Sequence, residues 1–377
     1  MDFELSEPQE ILRQTIRRFL ADTAPLAPFV RAQLEDPRGH DAGLWRGLAD
    51  LGLLGLLVPE EHGGSGLGMI EMGLACEEAG RALLPGPFAA SALAATALLR
   101  KVATEEERAE LLPALASGRT IATLALEEPD GADWREPRTA ARTSAGEKIL
   151  VSGIKGLVPD ALAAELLLVV AREPPRGELR VFAVDRSAPG VAVASSPSVD
   201  GTRKLARVEL TDAPARRLGR ADASRAVAET VDLARLGLAA DALGAAARAH
   251  ELALDYARER IQFGRPIGSF QAVQHLLVDM LQDIELARAG IYYALWAADA
   301  ADATERRRAA TMAKAFASAR LPAIGANALQ IFGGLGFTWE CDIHLYYKRL
   351  LSMQPALGDE AAQLDELARV VIDGDET

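Results

Sequence analysis

Hydrophobic residues follow three different patterns along the chain. Up to residue 117, segments such as "SEPQEILRQTIRRFLADTA" and "GLWRGLADLGLLGL" repeat apolar residues three and four positions apart, which predicts amphipathic helices. Between 118 and 220, short runs rich in Val, Leu and Ile, such as "AELLLVVARE" and "LRVFAVDR", are separated by Gly, Pro and charged residues, which predicts a small β domain. From 221 to 377, long Ala-rich segments restore the helical period and predict a helical bundle.

This order of segregated elements indicates an α+β fold with domains at 1–117, 118–220 and 221–377. A doubly wound nucleotide-binding fold would instead alternate strands and helices. The glycines of "GGSGLG" at 63–68 follow no strand-like run, so we interpret this segment as a loop and not as a dinucleotide-binding turn.

The chain is acidic, and its N-terminal sequence leads us to expect no targeting segment. Its 377 residues include 41 Lys and Arg against 54 Asp and Glu, a formal charge of −13, which argues against nucleic acid as a partner and against attraction to an anionic membrane. The N-terminus has no basic region before an apolar core, and no run of about 18 apolar residues exists. Two cysteines and five scattered histidines predict neither a disulfide framework nor a metal site, so we expect a cytoplasmic protein.

Four stretches carry the most distinctive residues: "GLLGLLVPEEHGGSGLG", "LALEEPDGADW", "YARERIQFGRPIGSFQAVQH" and "ALQIFGGLGFTWE". In order and spacing they resemble the acyl-CoA dehydrogenase family over essentially the whole chain. The resemblance implies an N-terminal α-helical domain, a middle β-barrel and a C-terminal four-helix bundle. It also implies a FAD-dependent enzyme that converts an acyl-CoA to the trans-2-enoyl thioester, with electron-transfer flavoprotein as the acceptor.

The third and fourth stretches are similar to the family's flavin-binding segments. By this resemblance Arg260 clamps the FAD pyrophosphate, since a guanidinium donates in a rigid fork that suits phosphate. Paired glycines let the backbone approach a cofactor closely. The cofactor-binding residues so implied are Arg260, Phe263, Gln271, Gln330, Gly333 and Gly334. The alternative for Arg260 is a solvated arginine in a charged loop, and the alternative for the glycine pair is a turn that ends a helix. In the family, the stretch that contains Arg260 binds the flavin of a neighbouring subunit, which implies an oligomer.

Asp232 and Arg235 in "VDLARL" stand three residues apart on one helical face. The family has Asp-x-x-Arg here and uses it to hold the CoA portion of the substrate. The resemblance therefore makes both residues substrate contacts, and a plain intrahelical ion pair is the alternative.

Both family positions for the catalytic base lack a carboxylate. Removal of the thioester α-proton needs a carboxylate in a dry site that raises its pKa. The usual family Glu, counted without a gap from Gly333, falls on Leu357. The second family position, one residue before Arg235, is Ala234.

The flavin-facing strand also departs from the family pattern. Leu157 replaces the usual Trp, Pro159 replaces a hydroxyl residue, and Glu127 stands where Thr is usual. These changes remove polar contacts from the β domain and leave the flavin motifs of the bundle intact.

Asp241 and Glu360 are the remaining candidates for the base. Asp241 interrupts the nearly pure Leu, Ala and Gly run "RLGLAADALGAAARA". It lies seven residues after Ala234, so a helix returns it to nearly the same face about 10.5 Å further on. It is either a working carboxylate in an apolar site or an acid on a solvated or interface edge. Glu360 follows the vacant Leu357 by three residues, and Glu340 matches a family Glu regarded as structural.

Several functions stay open. The first is an acyl-CoA dehydrogenase of the bacterial subgroup carrying "GFTWE", either self-sufficient through Asp241 or a partner subunit of a heterotetramer. Chains similar to this one include partners in heteromeric enzymes that oxidise CoA thioesters of sterol side chains, where only one subunit supplies the base. A DNA-associated alkylation-response protein is a further alternative, against which the acidic balance argues. The last is a scaffold that has lost its flavin.

Overall fold

The computed structural model describes residues 4–131, 133–144, 146–174 and 177–373. Within these ranges the α-helices are α1 (Glu7–Thr23), α2 (Arg31–Glu35), α3 (Ala42–Asp50), α4 (Met69–Arg81), α5 (Thr96–Val102), α6 (Glu105–Ala116), α7 (Ser224–Glu259), α8 (Gln271–Ala300), α9 (Ala303–Phe332), α10 (Ile343–Met353) and α11 (Glu360–Ala368). The strands are β1 (Ala122–Ala125), β2 (Ala140–Thr143), β3 (Ile149–Pro159), β4 (Leu166–Glu173), β5 (Glu178–Asp185), β6 (Val191–Ser196), β7 (Leu205–Leu218), β8 (Ile261–Gln262) and β9 (Arg265–Pro266).

The predicted order of helices, sheet and helices is confirmed. Helices α1 to α6 precede the seven strands of the main sheet, and α7 to α11 follow them. The periodic segment opened by Ser6 forms α1, where the backbone N–H of Ser6 donates to the side chain of Gln9 at 3.0 Å and Pro8 lies in the first turn. This arrangement satisfies a donor that the helix itself leaves free.

The main sheet closes into a small barrel. Strands β4, β2, β3, β7 and β5 pair in that order, and β5 pairs in turn with β4. Strand β1 joins in parallel to β4, and β6 pairs antiparallel to β7. Residues 167–171 of β4 are all buried, which explains why this strand reads as a continuous apolar run instead of alternating.

The chain forms two compact units. The first unit contains the residues up to Arg31, the segment Met69–Leu84 and the chain from Arg235 onward; the second contains Ala32–Gly68 and Pro85–Ala234. In the first unit α1 and α8 pack on α4, whereas α8, α10 and α11 pack on α9. In the second unit α5 packs on α6.

Helices α4 and α7 cross at very short range inside the first unit. A Cβ atom on Gly80 would stand 1.9 Å from the carbonyl oxygen of Asp241, and one on Gly244 would stand 1.8 Å from that of Glu77. Only glycine permits such an approach, so the small residues of the "RLGLAADALGAAARA" run reflect a backbone crossing. Among the described residues, no helix has the length and apolar character needed to cross a bilayer.

Candidate functional site

The segment between α7 and α8 is a tight hairpin. Its strands β8 and β9 pair antiparallel, and Phe263 and Gly264 form the turn with φ of 53° and 79°, as in a type I′ turn. At the base, the N–H of Ile267 donates to the carbonyl of Arg260 at 2.8 Å. The hairpin therefore presents Phe263 at its tip, 91% exposed. An aromatic ring so placed contributes little to the folding of its own chain, which suggests a contact with another molecule.

The glycine pair follows the end of α9. Gly333 has φ 61° and ψ −140°, a conformation that is accessible essentially to glycine alone. A Cβ atom on Gly334 would meet no protein atom within 4 Å, and Gly334 has no left-handed φ. Neither backbone strain nor packing within the chain therefore requires Gly334 to be glycine. The open space beside it suits an approaching cofactor.

An aromatic stack brings these two segments together. The rings of Tyr256 and Phe332 lie 4.3 Å apart between centroids and 12° from parallel. Tyr256 is one turn before Arg260, and Phe332 directly precedes Gly333, so the ends of α7 and α9 meet at this contact. Sequence reasoning did not identify this pair, although an aromatic residue beside each motif was visible.

The remaining flavin candidates are on the surface of the same unit. Gln271 is the first residue of α8, and Gln330 lies in the last turn of α9; both are exposed, as is Arg260. The exposed guanidinium and amides are hydrogen-bond donors that suit the pyrophosphate and polar edges of a flavin dinucleotide. The glycine pair leaves open space beside them.

In the second unit, the two altered segments of the barrel lie side by side. The N–H of Gly156 donates to the carbonyl of Glu127 at 2.9 Å. A Cβ atom on Gly156 would stand 3.2 Å from the nitrogen of Pro129. Leu157, at the position where the family has Trp, is 51% exposed. The structure thus brings together the segments that departed from the family pattern and exposes an apolar side chain there.

A buried ion pair holds these barrel segments in place. Lys155 donates to Glu128 at 3.0 Å and to the carbonyl of Leu126 at 3.0 Å, and the hydroxyl and N–H of Thr139 donate to Glu128. Burial would raise the pKa of Glu128, but the hydrogen bonds from Thr139 and Arg138 and the charge of Lys155 lower it to about 2. Burial also lowers the pKa of Lys155. Glu128 is thus a charged structural anchor next to Glu127.

Asp241 is engaged in a buried ion pair. Nη1 of Arg349 donates to both of its carboxylate oxygens, at 2.9 and 3.0 Å, and Nη2 donates to the carbonyl of Leu84 at 3.1 Å. The side chains of Asp241 and Arg349 are 2% and 0% exposed. An acid stands in the apolar run because it neutralises a buried guanidinium. To act as a base, Asp241 would have to leave that cation uncompensated, which is costly. The geometry favours a structural role over the predicted catalytic one.

Arg235 is likewise held within the first unit. It is buried, its Nη2 lies 3.0 Å from a carboxylate oxygen of Glu366, and its Nε donates to the carbonyl of Leu357 at 3.1 Å. These contacts weaken the prediction that Arg235 binds CoA. Asp232, the other residue of the motif, is 5% exposed on α7, so neither presents a free charge at the surface.

A buried lysine fastens the segment around Leu357. Nζ of Lys314 donates to three carbonyl oxygens of residues 353–358 at 3.0 to 3.2 Å and to the hydroxyl of Ser318 at 2.6 Å. Leu357 itself has φ 56°. The segment in which the family carries its base is therefore rigidly held here and presents a leucine.

Glu360 lies at the surface. It is the exposed first residue of α11, directly after Asp359, whose side chain caps the helix by accepting from the N–H of Ala362 at 2.9 Å. A base for an α-proton needs a dry environment, and the chain does not provide one for Glu360.

Three cations important for these arrangements were missed by sequence reasoning: Lys155, Lys314 and Arg349. The available signal was a single positive charge in an otherwise apolar stretch, as in "TMAKAFASA". A buried cation requires a partner, but the sequence does not say which residue it is.

Comparisons with known proteins agree with this architecture. Models of the acyl-CoA dehydrogenase N-terminal, middle and C-terminal domains match residues 6–119, 122–213 and 224–372. Acyl-CoA dehydrogenase IpdE2 of Mycolicibacterium smegmatis is 33% identical over 365 residues, which cover 96% of this chain and 98% of that protein.

Solved structures give the same result. A variant of the "Tcur3481-Tcur3483 steroid ACAD" has a TM-score of 0.89 at 33% identity, with 98% of both chains covered. The ChsE4-ChsE5 complex from Mycobacterium tuberculosis has a TM-score of 0.89 at 27% identity, with 100% of both chains covered. The fold is thus that of a flavin-dependent CH–CH oxidoreductase, and the chain belongs to the acyl-CoA dehydrogenase family.

Proposed function

We propose that this chain is the FAD-binding, base-deficient subunit of a heteromeric acyl-CoA dehydrogenase that oxidises a CoA thioester to the trans-2-enoyl thioester. A second acyl-CoA dehydrogenase chain supplies the carboxylate that removes the α-proton. The observation that carries the proposal is the buried pair of Asp241 with Arg349, because it occupies the best remaining candidate for a base.

The other positions support the same conclusion. Leu357 and Ala234 cannot accept a proton, and Glu360 is exposed to water. Lys314 and Arg235 bind backbone carbonyls of residues 353–358, and these contacts favour the conformation that places Leu357 at this position. Without a base in a dry site, this chain alone would lose a factor of roughly 10²–10⁴ in the proton-transfer step.

The flavin site is proposed from residues of the bundle. Arg260 would donate to the pyrophosphate, the amides of Gln271 and Gln330 would bind polar edges of the cofactor, and Gly334 would leave space for it. When bound, FAD supplies the acceptor for the β-hydrogen. Phe263 at the hairpin tip, predicted as a cofactor-binding residue, would contact the flavin of the neighbouring chain, which gives the exposed ring a function.

The relatives support a steroid-type substrate. IpdE2 and the structure described as a steroid ACAD each share 33% identity with this chain over nearly its full length, and the ChsE4-ChsE5 structure is a complex of two differently named chains. We therefore place the substrate among CoA thioesters attached to a sterol-derived body, with electron-transfer flavoprotein as the electron acceptor.

The decisive experiment is to purify the chain alone and together with a second acyl-CoA dehydrogenase chain that carries the missing base, and to record the flavin spectrum before and after anaerobic addition of a steroid acyl-CoA. We expect the complex to bleach and the chain alone not to bleach. Bleaching of the chain alone at the rate of the complex would show a self-sufficient enzyme. Light scattering on the same samples measures the oligomeric state. A flavin-loaded monomer would contradict the proposal that the flavin is bound between two chains.

A further inference from the structure

The loop between α9 and α10, residues 333–342, carries the glycine pair and then the indole of Trp339, which is 63% exposed. The imidazole of His344 meets this indole edge-to-face, with 4.9 Å between the ring centroids and 87° between the planes. Nζ of Lys348 lies 4.7 Å from the centroid of the same indole. Both contacts come from α10, so Trp339 fastens the loop to that helix.

His344 is a buried imidazole without hydrogen bonds. It is 8% exposed, and within the part of the chain that the structure describes neither ring nitrogen has a hydrogen-bond partner. A neutral imidazole carries one donor and one acceptor, and burying them unpaired destabilises the fold. Buried polar groups in proteins are generally paired, so an imidazole kept here points to a task other than stability.

Two cations and one acid act on this ring. Arg31 donates through Nε to Asp342 at 2.8 Å, and Lys348 stands one turn after His344 on α10. Burial lowers the pKa of His344 below its ordinary value of 6.5, and the charges of Lys348 and Arg31 lower it further. Asp342 acts in the opposite direction, but it is already paired with Arg31. The imidazole is therefore neutral at neutral pH.

The neighbouring helix and the loop add no compensating charge. α10 packs on α9, and residues 321–332 of that helix contain no ionisable side chain. The acid of the loop, Glu340, is exposed to water. An imidazolium at position 344 would thus be a third cation beside Arg31 and Lys348, with two N–H groups to satisfy in the interior.

Protonation of His344 therefore favours a conformation in which the ring reaches water, and a ring that moves out gives up its contact with Trp339. We propose that neutral His344 is a positioning residue of the flavin site: it holds the loop with the glycine pair through Trp339, and its protonation frees that loop and weakens FAD binding. The inference rests on the proposed function of this loop. The change is expected below pH 6.5, because the folded protein binds this proton less readily than an unfolded chain does.

The test compares the FAD affinity of the full chain at pH 7.5 and pH 5.5, measured by titrating the flavin-free protein with FAD. We expect the wild type to bind about tenfold more weakly at pH 5.5, the limit for one proton taken up one unit below 6.5. His344→Phe keeps a flat ring that cannot be protonated, so its affinity should change less than about twofold. His344→Leu repeats the measurement if phenylalanine does not fit.

His40→Phe is the matched control. His40 is a half-buried imidazole set edge-to-face against the indole of Trp45, and burial lowers its pKa, but it lies in the second unit. This variant should show the same loss of FAD affinity on acidification as the wild type.

The fluorescence of Trp339 gives a second measurement that needs no cofactor. The difference in emission between the flavin-free wild type and Trp339→Phe should change with pH below 6.5, and the same difference in a His344→Phe background should not. A constant Trp339 signal, or an FAD affinity that falls equally in the wild type and His344→Phe, would overturn the proposal. A chain that binds no FAD at pH 7.5 would instead contradict the proposed flavin site, and the Trp339 titration would still show whether His344 controls the loop.

Discussion

Replacement of Asp241 by Asn separates a structural carboxylate from a catalytic one. The amide keeps the shape of the side chain and removes its charge. Arg349, with a fully buried side chain, then faces a neutral group inside the helical core. Breaking one partner of a buried pair costs about 3–5 kcal/mol. The Asn oxygen and the carbonyl of Leu84 at 3.1 Å still accept hydrogen bonds, which puts the expected loss near the lower end, about 3 kcal/mol.

Urea unfolding at neutral pH and fixed protein concentration, followed by circular dichroism, measures this loss. With a slope of about 3 kcal/mol per molar urea, the midpoint should fall by about 1 M. Asp255→Asn is the matched control on α7, since Asp255 is 62% exposed in a surface pair with Arg258 and should change stability by less than about 0.5 kcal/mol. The double variant Asp241→Leu/Arg349→Met removes both charges and should regain most of the stability.

The opposite pattern would refute this interpretation. If Asp241→Asn unfolds at the wild-type midpoint and abolishes flavin reduction by an acyl-CoA, the carboxylate is a base and the chain is a self-sufficient dehydrogenase.

Three further expectations follow from other contacts. Arg260→Ala should lower the flavin absorbance of the purified protein far more than Leu157→Ala, because the pyrophosphate contact is assigned to the bundle; equal retention would contradict that assignment. Lys314→Met should destabilise the fold by about 2–3 kcal/mol, since three carbonyls of residues 353–358, one buried and two partly buried, lose their donor, and an unchanged urea midpoint would exclude this role. The pKa of Glu128 is lowered from 4.5 to about 2 by its hydrogen bonds and by Lys155, in spite of burial. The charged carboxylate therefore contributes its full stabilisation above pH 4.5, and this contribution is lost as the pH falls towards 2. Glu128→Gln should therefore show a shallower decline of the urea midpoint over that interval than the wild type, and parallel curves would contradict it.

The sequence by itself determined the local elements and the family. Helical periodicity and short apolar runs predicted the order of helices, sheet and helices, because both signals arise from residues close in the chain. The segment after α7 was singled out by its resemblance to a flavin-binding motif, and the structure shows that it is a hairpin with its turn at Phe263 and Gly264. The absence of a carboxylate at positions 357 and 234 was also visible without coordinates.

Only the tertiary structure decided what the remaining charges do. Asp241 and its partner Arg349 are 108 positions apart, and Arg235 and Glu366 are 131 apart. From the sequence, Arg235 was predicted to contact CoA, with an intrahelical ion pair as the alternative, and Asp241 was predicted as a catalytic base. Such partners are chosen by the packing of distant helices and not by local spacing, and a buried charge takes whichever opposite charge the packing places beside it.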